Sequence, residues 1–222
     1  MDKIHFSNDA KRIKYEVLKH VAQLAFSGEL EERKDAIPFE IIPGVSPSFR
    51  CCVYKEREII RGRVRLAMGQ SSEPGRETNN VVDVITAACE GCPINRFRVT
   101  ENCQKCMAKN CVSACPFNAI TITGRGAYID QDKCRECGRC ASVCPYNAIA
   151  DLMRPCKRSC PVDAITMDKN KIAVIQEDKC IRCGACTTQC PFGAISDVSY
   201  MVNVIEELIS NCELYAIPAP AI

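Results

Sequence analysis

The pattern of apolar and polar residues predicts one long amphipathic helix close to the N-terminus. Four apolar residues recur there at helical spacing: Ile13, Val17, Val21 and Leu24. Asn8 or Asp9 is suited to cap the first turn, and Gly28 is suited to end the helix. The helix is therefore expected between these caps.

After this helix the pattern predicts shorter elements. Three prolines are expected to break the chain into extended pieces: Pro38, Pro43 and Pro47. Thr78 or Asn79 is expected to cap a second helix that leads to Cys89. Its apolar residues would be Val81, Val82, Ile85 and Ala88. Residues 1–88 are thus predicted to form a mixed, mainly helical segment, and residues 196–222 a C-terminal helix and the start of a downstream domain.

The middle of the sequence contains an internal repeat, and its apolar pattern predicts short hairpins. Residues 120–122 and 128–129 are expected to pair across a glycine-containing turn, and residues 165–167 are expected to pair with 172–175. A Cys-Pro-x-x-Ala-Ile segment occurs four times, beginning at Cys115, Cys144, Cys160 and Cys190. A longer stretch at residues 127–134 recurs at 173–180. Such self-similarity indicates a duplicated unit.

Composition changes this picture because the 222 residues include nineteen cysteines but two histidines. An odd count and a polar N-terminus argue against a secreted disulfide scaffold. The sequence contains no run of about 18 apolar residues, so it predicts no membrane span. The net charge of +2 argues against a dedicated nucleic-acid binder. Metal-binding cysteines in a reducing cytoplasm are the remaining interpretation.

Two cysteine runs match the bacterial [4Fe-4S] ferredoxin motif, Cys-x2-Cys-x2-Cys-x3-Cys-Pro. They are Cys134, Cys137, Cys140 and Cys144, and Cys180, Cys183, Cys186 and Cys190. A third run has two more residues between its second and third cysteines: Cys103, Cys106, Cys111 and Cys115. This variant resembles the ferredoxin-like electron-transfer subunits of molybdenum oxidoreductases.

The fourth cysteine of such a run ligates the neighbouring cluster in two-cluster ferredoxins. If this sharing rule holds, the first cluster is held by Cys103, Cys106, Cys111 and Cys144. The second is held by Cys134, Cys137, Cys140 and Cys115. The third is held by Cys180, Cys183, Cys186 and Cys160.

A half-motif, Cys156-x3-Cys160-Pro161, has no cysteine pair directly before it. Cys89-x2-Cys92 is the most economical source of the missing half. The fourth cluster is then held by Cys89, Cys92, Cys156 and Cys190. All sixteen cysteines between residues 89 and 190 are assigned, which gives about four [4Fe-4S] clusters.

The predicted fold class is α+β, with tandem, nested bacterial-type 2[4Fe-4S] ferredoxin-like units after a small helical segment. The four-cluster domain is expected over residues 89–195. Its inner unit spans 103–144, and its outer unit combines 89–92 with 156–190.

Alternative chemistries were weighed against these motifs. Structural zinc remains open for Cys89, Cys92, Cys156 and Cys160, which would make a complete four-cysteine site. A radical S-adenosylmethionine motif would need a cysteine where the four exits have Asn118, Asn147, Asp163 and Gly193.

Cys51, Cys52 and Cys212 lie outside the count and are expected to be thiols, with a fifth metal site or a redox-sensing pair as alternatives. The basic residues between Arg50 and Arg65 are expected to form a solvated face, with docking of an acidic redox partner as the alternative.

Several stretches resemble the N-terminal half of clostridial-type iron-only ([FeFe]) hydrogenases. They are Arg50–Arg57, Ala88–Ile94, the four cluster repeats and the final Tyr215–Ile222, which ends in Ala-Pro-Ala-Ile. The resemblance implies a multi-cluster ferredoxin-like module that supplies electrons to a catalytic domain. The motifs of that catalytic domain, such as Thr-Ser-Cys-Cys-Pro, are absent from the chain, so no hydrogen-activating cluster and no catalytic residue is expected here.

The sequence therefore predicts a cytoplasmic electron-transfer module, and the resemblance implies a role in hydrogen metabolism. Its expected partners are a catalytic hydrogenase domain or subunit and a soluble ferredoxin, with no nucleic acid and no membrane span. The alternatives are part of a complete hydrogenase and, less favoured, an iron–sulfur redox sensor.

Overall fold

The computed structural model describes residues 5–210 and 212–215, and these fold into two compact units. The terminal unit combines Met1–Gly91 with Ser159–Ile222, as far as these ranges are described. The middle unit is Cys92–Arg158. Residues 1–88, predicted as a separate segment, thus belong to the same unit as the chain after residue 158.

The terminal unit begins with four helices. They are α1 (Asp9–Ser27), α2 (Leu30–Arg33), α3 (Ile37–Ile41) and α4 (Val53–Ala67). The Asn8 side chain accepts a hydrogen bond from the Lys11 N–H at 2.9 Å, and Gly28 ends α1 with a φ of 74°. The sequence prediction for this helix is confirmed, including its four buried apolar residues.

The rest of the terminal unit consists of short elements. They are β1 (Val82–Val84), a 3-10 turn (Thr86–Ala88), β6 (Ile165–Met167), β7 (Ala173–Ile175), α8 (Ala185–Gln189), β8 (Ile195–Asp197) and α9 (Met201–Ile209). Strand β1 pairs antiparallel with β8, and β6 pairs antiparallel with β7. An apolar core joins α1, α3, α4 and α9 through residues such as Val17, Ile37, Ile60 and Val202.

The middle unit has the same pattern of strands. Its elements are β2 (Phe97–Val99), α5 (Asn110–Ser113), β3 (Ile120–Thr123), β4 (Gly126–Ile129), α6 (Arg139–Ser142), β5 (Ile149–Asp151) and α7 (Pro155–Arg158). Strand β2 pairs antiparallel with β5, and β3 forms a hairpin with β4. Each unit thus contains one hairpin and one sheet whose two strands are distant in sequence. Both predicted hairpins and the α+β fold class are confirmed.

Two local predictions are wrong. The predicted helix near residues 78–88 is instead β1 followed by a 3-10 turn. Val82 and Val84 are β-branched and buried, and the pairing of β1 with β8 outweighs the helical spacing of the apolar residues. Pro38 does not interrupt helical structure, because it lies in the first turn of α3, where its missing N–H costs nothing.

The C-terminal helix of the sequence analysis is α9. Residues 211 and 216–222 of that predicted region lie outside the described residues. Within the described part of the chain, no helix is both long and apolar enough to cross a membrane.

Candidate iron–sulfur sites

The four Cys-Pro-x-x-Ala-Ile segments share one local geometry. In each, the alanine N–H donates a hydrogen bond to the sulfur of the cysteine four residues earlier, over 3.2–3.4 Å. The residue before the alanine has a left-handed φ between 48° and 57° in all four copies: Asn118, Asn147, Asp163 and Gly193. This turn directs a backbone dipole at the sulfur, which stabilises negative charge there.

The Cys-x2-Cys loops are also alike. The residue before the second cysteine is left-handed in three runs: Lys105, Glu136 and Arg182. Gly138 and Gly184 follow the second cysteine with φ values of 80° and 73°, and each caps the short helix that carries the third cysteine. In the longer run Lys109 takes this capping position with a φ of 48°, so the two additional residues are accommodated before α5.

One cavity of the middle unit is lined by four cysteines. Cys103, Cys106, Cys111 and Cys144 surround about 380 Å³. Val99, Ile122 and Ile149 supply apolar walls. These are the four cysteines that the sharing rule assigns to the first cluster.

A second cavity of the middle unit has the same construction. Cys115, Cys134, Cys137 and Cys140 surround about 310 Å³, with Phe97, Ile120 and Ile129 among the other lining residues. These four cysteines make up the set predicted for the second cluster. In each of these sets, which we call exchanged sets, one cysteine comes from the other run. Cys144 lies with the first three cysteines of the run that ends at Cys115, and Cys115 lies with the first three of the run that ends at Cys144.

The third predicted set belongs to the terminal unit. Burial raises the pKa of the Cys186 thiol, and the nearby Cys180, Cys183 and Cys160 raise it further. Cys160 therefore lies within electrostatic range of the run that precedes Cys190. The structure brings these four thiols into one neighbourhood.

The third cysteine of each run carries the same electrostatic signature. Burial raises the pKa of Cys111 and Cys140, and nearby thiols from both runs raise it further. Cys103 differs, because N–H groups of Ala127 and Lys105 lower its pKa. Buried thiols that repel each other when ionised are suited to a bound cation, which supplies the missing positive charge.

Cys89 and Cys103 accept equivalent backbone hydrogen bonds from the two hairpins. The Ala127 N–H on β4 donates to the Cys103 sulfur at 3.4 Å, and the Ala173 N–H on β7 donates to the Cys89 sulfur at 3.4 Å. Ala127 and Ala173 are equivalent positions of the internal repeat. This equivalence supports Cys89 as the first cysteine of the second ferredoxin-like unit.

Cys156 also has a position equivalent to other ligands. It lies in the short helix α7, four residues before a Cys-Pro step, as Cys111, Cys140 and Cys186 do in their helices. The fourth predicted set takes Cys89 and Cys190 from the terminal unit and Cys92 and Cys156 from the middle unit. It stays a prediction.

The two cavities suit a polynuclear cofactor. Within residues 5–210 and 212–215, no group of three or more His, Cys, Asp or Glu side chains is arranged to hold a single metal ion. Four thiols and several apolar side chains line each cavity. Four thiolates, a dry shell and N–H groups directed at sulfur fit a [4Fe-4S] cluster.

The cysteines outside the motifs lie in other environments. Cys51 and Cys212 are exposed, and Cys52 is partly buried at the start of α4. That these three are thiols stays a prediction.

Two buried charges near these sites were missed by the sequence analysis, which expected the basic stretch to be solvated. Glu56 is 0% exposed and Arg63 is 7% exposed, both on α4. Glu56 accepts N–H hydrogen bonds from Ser48 and Arg50, and Arg50 in turn donates to the Ala88 carbonyl at 2.6 Å, next to Cys89. The sequence did contain one signal for the buried Arg63. Gly193 occupies the position at which the other three exits have Asn or Asp, and a side chain there would overlap the Arg63 guanidinium.

Comparison with known families agrees with this geometry. Residues 102–148 match the model of a 4Fe-4S dicluster domain, and residues 149–201 match the LdpA Fe-S cluster-binding domain. The first match contains all eight cysteines of the two cavities. A search of curated proteins found no match.

The chain is therefore an iron–sulfur protein with a ferredoxin-like region. Its two matched segments are similar to domains that bind iron–sulfur clusters, and they follow each other directly along the sequence.

Proposed function

We propose that this protein is an electron-transfer module that relays single electrons through about four [4Fe-4S] clusters. The observation that carries the proposal is the pair of cavities, each lined by the four cysteines of one exchanged set. When bound, a [4Fe-4S] cluster with four thiolates accepts and releases one electron with little change in geometry.

The residues of this chain have three tasks in such a relay. The cysteines hold each cluster, in the four sets that the sequence predicts. Apolar side chains such as Phe97 and Ile149 exclude water, which lowers the local dielectric constant. Backbone N–H groups, such as those of Ala119 and Ala148, donate to sulfur and stabilise the more negative, reduced state.

Hydrogen metabolism is the setting that we propose for this relay. Support comes from the stretches at Arg50–Arg57 and Ala88–Ile94, which resemble the electron-entry half of iron-only hydrogenases. A catalytic hydrogenase domain or subunit would receive the electrons, and a soluble ferredoxin would supply or accept them. The chain would thus be the relay part of a larger hydrogenase system.

A reductive titration tests the relay. We expect the anaerobically reconstituted chain to take up about four electrons from dithionite, one per cluster. The reduced chain should then pass electrons to an oxidised soluble ferredoxin and to a purified hydrogenase catalytic domain. Hydrogen evolution should require that catalytic domain.

Matched cysteine variants control the titration. Cys111→Ala should lower the uptake by about one electron, since a cavity ligand is lost. Cys212→Ala should leave the uptake unchanged, because this exposed thiol lies outside every motif. Equal uptake by both variants would contradict the assignment, and hydrogen evolution by the chain alone would contradict the relay role.

Redox sensing is a second candidate, favoured by the adjacent thiols of Cys51 and Cys52, of which Cys51 is exposed. A sensor of this kind predicts that mild oxidation couples these two thiols and changes electron transfer. If a Cys51→Ser, Cys52→Ser variant transfers electrons and responds to oxidant as the natural chain does, the sensor role is excluded.

A further inference from the structure

A buried arginine of the terminal unit lies against one cluster-binding loop. Arg63 on α4 is 7% exposed, and its Nη2 donates to the Gly193 carbonyl oxygen at 2.7 Å. Gly193 belongs to the exit loop that begins at Cys190, and its own N–H donates back to the Cys190 carbonyl at 3.1 Å. Within the described part of the chain, the Nε of Arg63 is buried without a hydrogen-bond partner. Such an arginine is costly to keep unless its charge has a role.

The Arg63 guanidinium lies against the loop that begins at a proposed ligand, Cys190. Burial lowers the pKa of Arg63, whereas the charges of Cys190 and Asp197 raise it. The guanidinium remains protonated, since arginine does not lose its proton in proteins. Asp197 forms an ion pair with Lys14. The buried guanidinium therefore keeps its positive charge against the loop that begins at Cys190.

The sequence of this exit loop is adapted to the arginine. The other three exits have Asn118, Asn147 and Asp163 at this position, all left-handed and all exposed. Gly193 has a similar φ of 57° but is buried, and a Cβ there would overlap the Arg63 Nη2. Asparagine tolerates this backbone conformation, so it is the arginine rather than the turn that requires glycine.

We propose that Arg63 is a positioning residue that raises the reduction potential of the cluster to which Cys190 belongs. This inference rests on the proposed function. A one-electron reductant, dithionite or a redox partner, adds one negative charge to the cluster and its thiolates without breaking a bond. A buried cation nearby stabilises the added charge, because the low dielectric constant weakens screening.

A neutral variant and a surface control test the proposal. Arg63→Gln removes the charge and keeps an N–H donor for the Gly193 carbonyl. Arg61→Gln makes the same charge change two residues away on α4, where the side chain is 36% exposed and paired with Glu58 at 2.9 Å. The readouts are iron content and a potentiometric titration followed by electron paramagnetic resonance, performed at low and high salt.

We expect Arg63→Gln to retain full iron content and to shift one component of the titration to lower potential. The shift should persist at high salt, because buried charges are weakly screened. Arg61→Gln should leave every component in place. Arg63→Lys keeps the charge and should restore most of the potential, which a purely structural role does not predict.

A second variant approaches the same contact from the loop. Gly193→Asn restores the residue type of the other exits and displaces the guanidinium while retaining every cysteine. It should shift the same component in the same direction, and this holds even if Arg63→Gln loads iron poorly. A titration of Gly193→Asn or Arg63→Gln that superimposes on that of the natural chain would overturn the proposal. Failure of the natural chain itself to bind clusters would instead refute the proposed function.

Discussion

At the scale of single residues, the ligand loops are shaped by backbone groups that point at sulfur. Such N–H bonds to cysteine sulfur come from two hairpin residues, Ala127 and Ala173, and from the alanines of the four exits. Cys89 is the informative case, because its donor, Ala173, is the repeat equivalent of the donor to Cys103. This equivalence supports the prediction that Cys89 supplies the missing first half of the motif at Cys156 and Cys160.

The Cys89 assignment predicts a specific loss of iron. Cys89→Ala should remove one cluster, so that about a quarter of the iron is lost after anaerobic reconstitution. Cys51→Ala is the control, since this exposed thiol lies outside the motifs. Iron content by chemical assay checks both. Full iron content in Cys89→Ala would contradict the split motif.

Gly138 and Gly184, which directly follow the second cysteine of their runs, have left-handed backbone conformations. We expect a side chain at either position to lower the stability of the fold. Gly184 has a φ of 73° and open space around its Cα, so Gly184→Ala should cost about 1–2 kcal/mol through backbone conformation alone. Gly124→Ala is the control, because Gly124 also has open space but no left-handed φ. Anaerobic thermal unfolding of the reconstituted variants measures the difference. Equal melting temperatures would show that the conformation at Gly184 is not costly.

At the scale of elements, α4 holds the loop before it through one buried carboxylate. Glu56 accepts N–H bonds from Ser48 at 2.7 Å and Arg50 at 2.8 Å, and it also binds the Phe49 N–H and the Ser48 hydroxyl. Arg50 then lies over the Phe192 ring, with its guanidinium carbon 4.8 Å from the ring centroid. Glu56 therefore orients a segment that contacts both Ala88 and Phe192, next to two proposed ligands.

The Glu56 network predicts a pH-independent stability effect over the neutral range. Burial raises the pKa of Glu56, but the N–H donors outweigh this effect and lower it below its usual value. A lowered folded-state pKa adds stability above the unfolded value of about 4.3, and this stability is lost only as the pH falls through the folded value. Glu56→Gln should thus cost ~1–3 kcal/mol at every pH from 8 to 5.

Glu58→Gln is the matched control on the same helix. Its side chain is 47% exposed, and removal of its charge should change stability by less than about 0.5 kcal/mol. Anaerobic unfolding of the reconstituted proteins at several pH values provides the comparison. A Glu56→Gln effect that disappears by pH 6 would contradict the lowered pKa.

The elements also show which parts of the fold a sequence predicts. Helix α1 and both hairpins were predictable, because caps, apolar spacing and turn residues lie within a short stretch. Strands β1 and β8 were not, because Val84 pairs with Ile195 across more than a hundred intervening residues. Three-residue strands carry too little local pattern to compete with a helical interpretation. Likewise, Glu56 and Arg63 have charges typical of a solvated face, and only tertiary packing buries them.

At the scale of the whole chain, the compact middle unit lies within the sequence of the terminal unit. In sequence order, the paired strands β2 and β5 flank the hairpin of the middle unit. The paired strands β1 and β8 flank both hairpins and the β2–β5 pair. Cysteine spacing predicts that one ferredoxin-like unit is nested within another, because a half-motif and a distant Cys-x2-Cys pair complete each other. This nesting stays a prediction. The exact unit boundaries were not predictable, since the compact middle unit spans Cys92–Arg158 rather than the cysteine-bearing core alone.

The central claim is that sixteen cysteines hold four clusters, and the iron and sulfide content of the chain tests it most directly. We expect anaerobically reconstituted protein to bind about sixteen iron and about sixteen acid-labile sulfide per chain, at four of each per cluster. A content of about eight iron would mean that only two clusters form and would contradict the account.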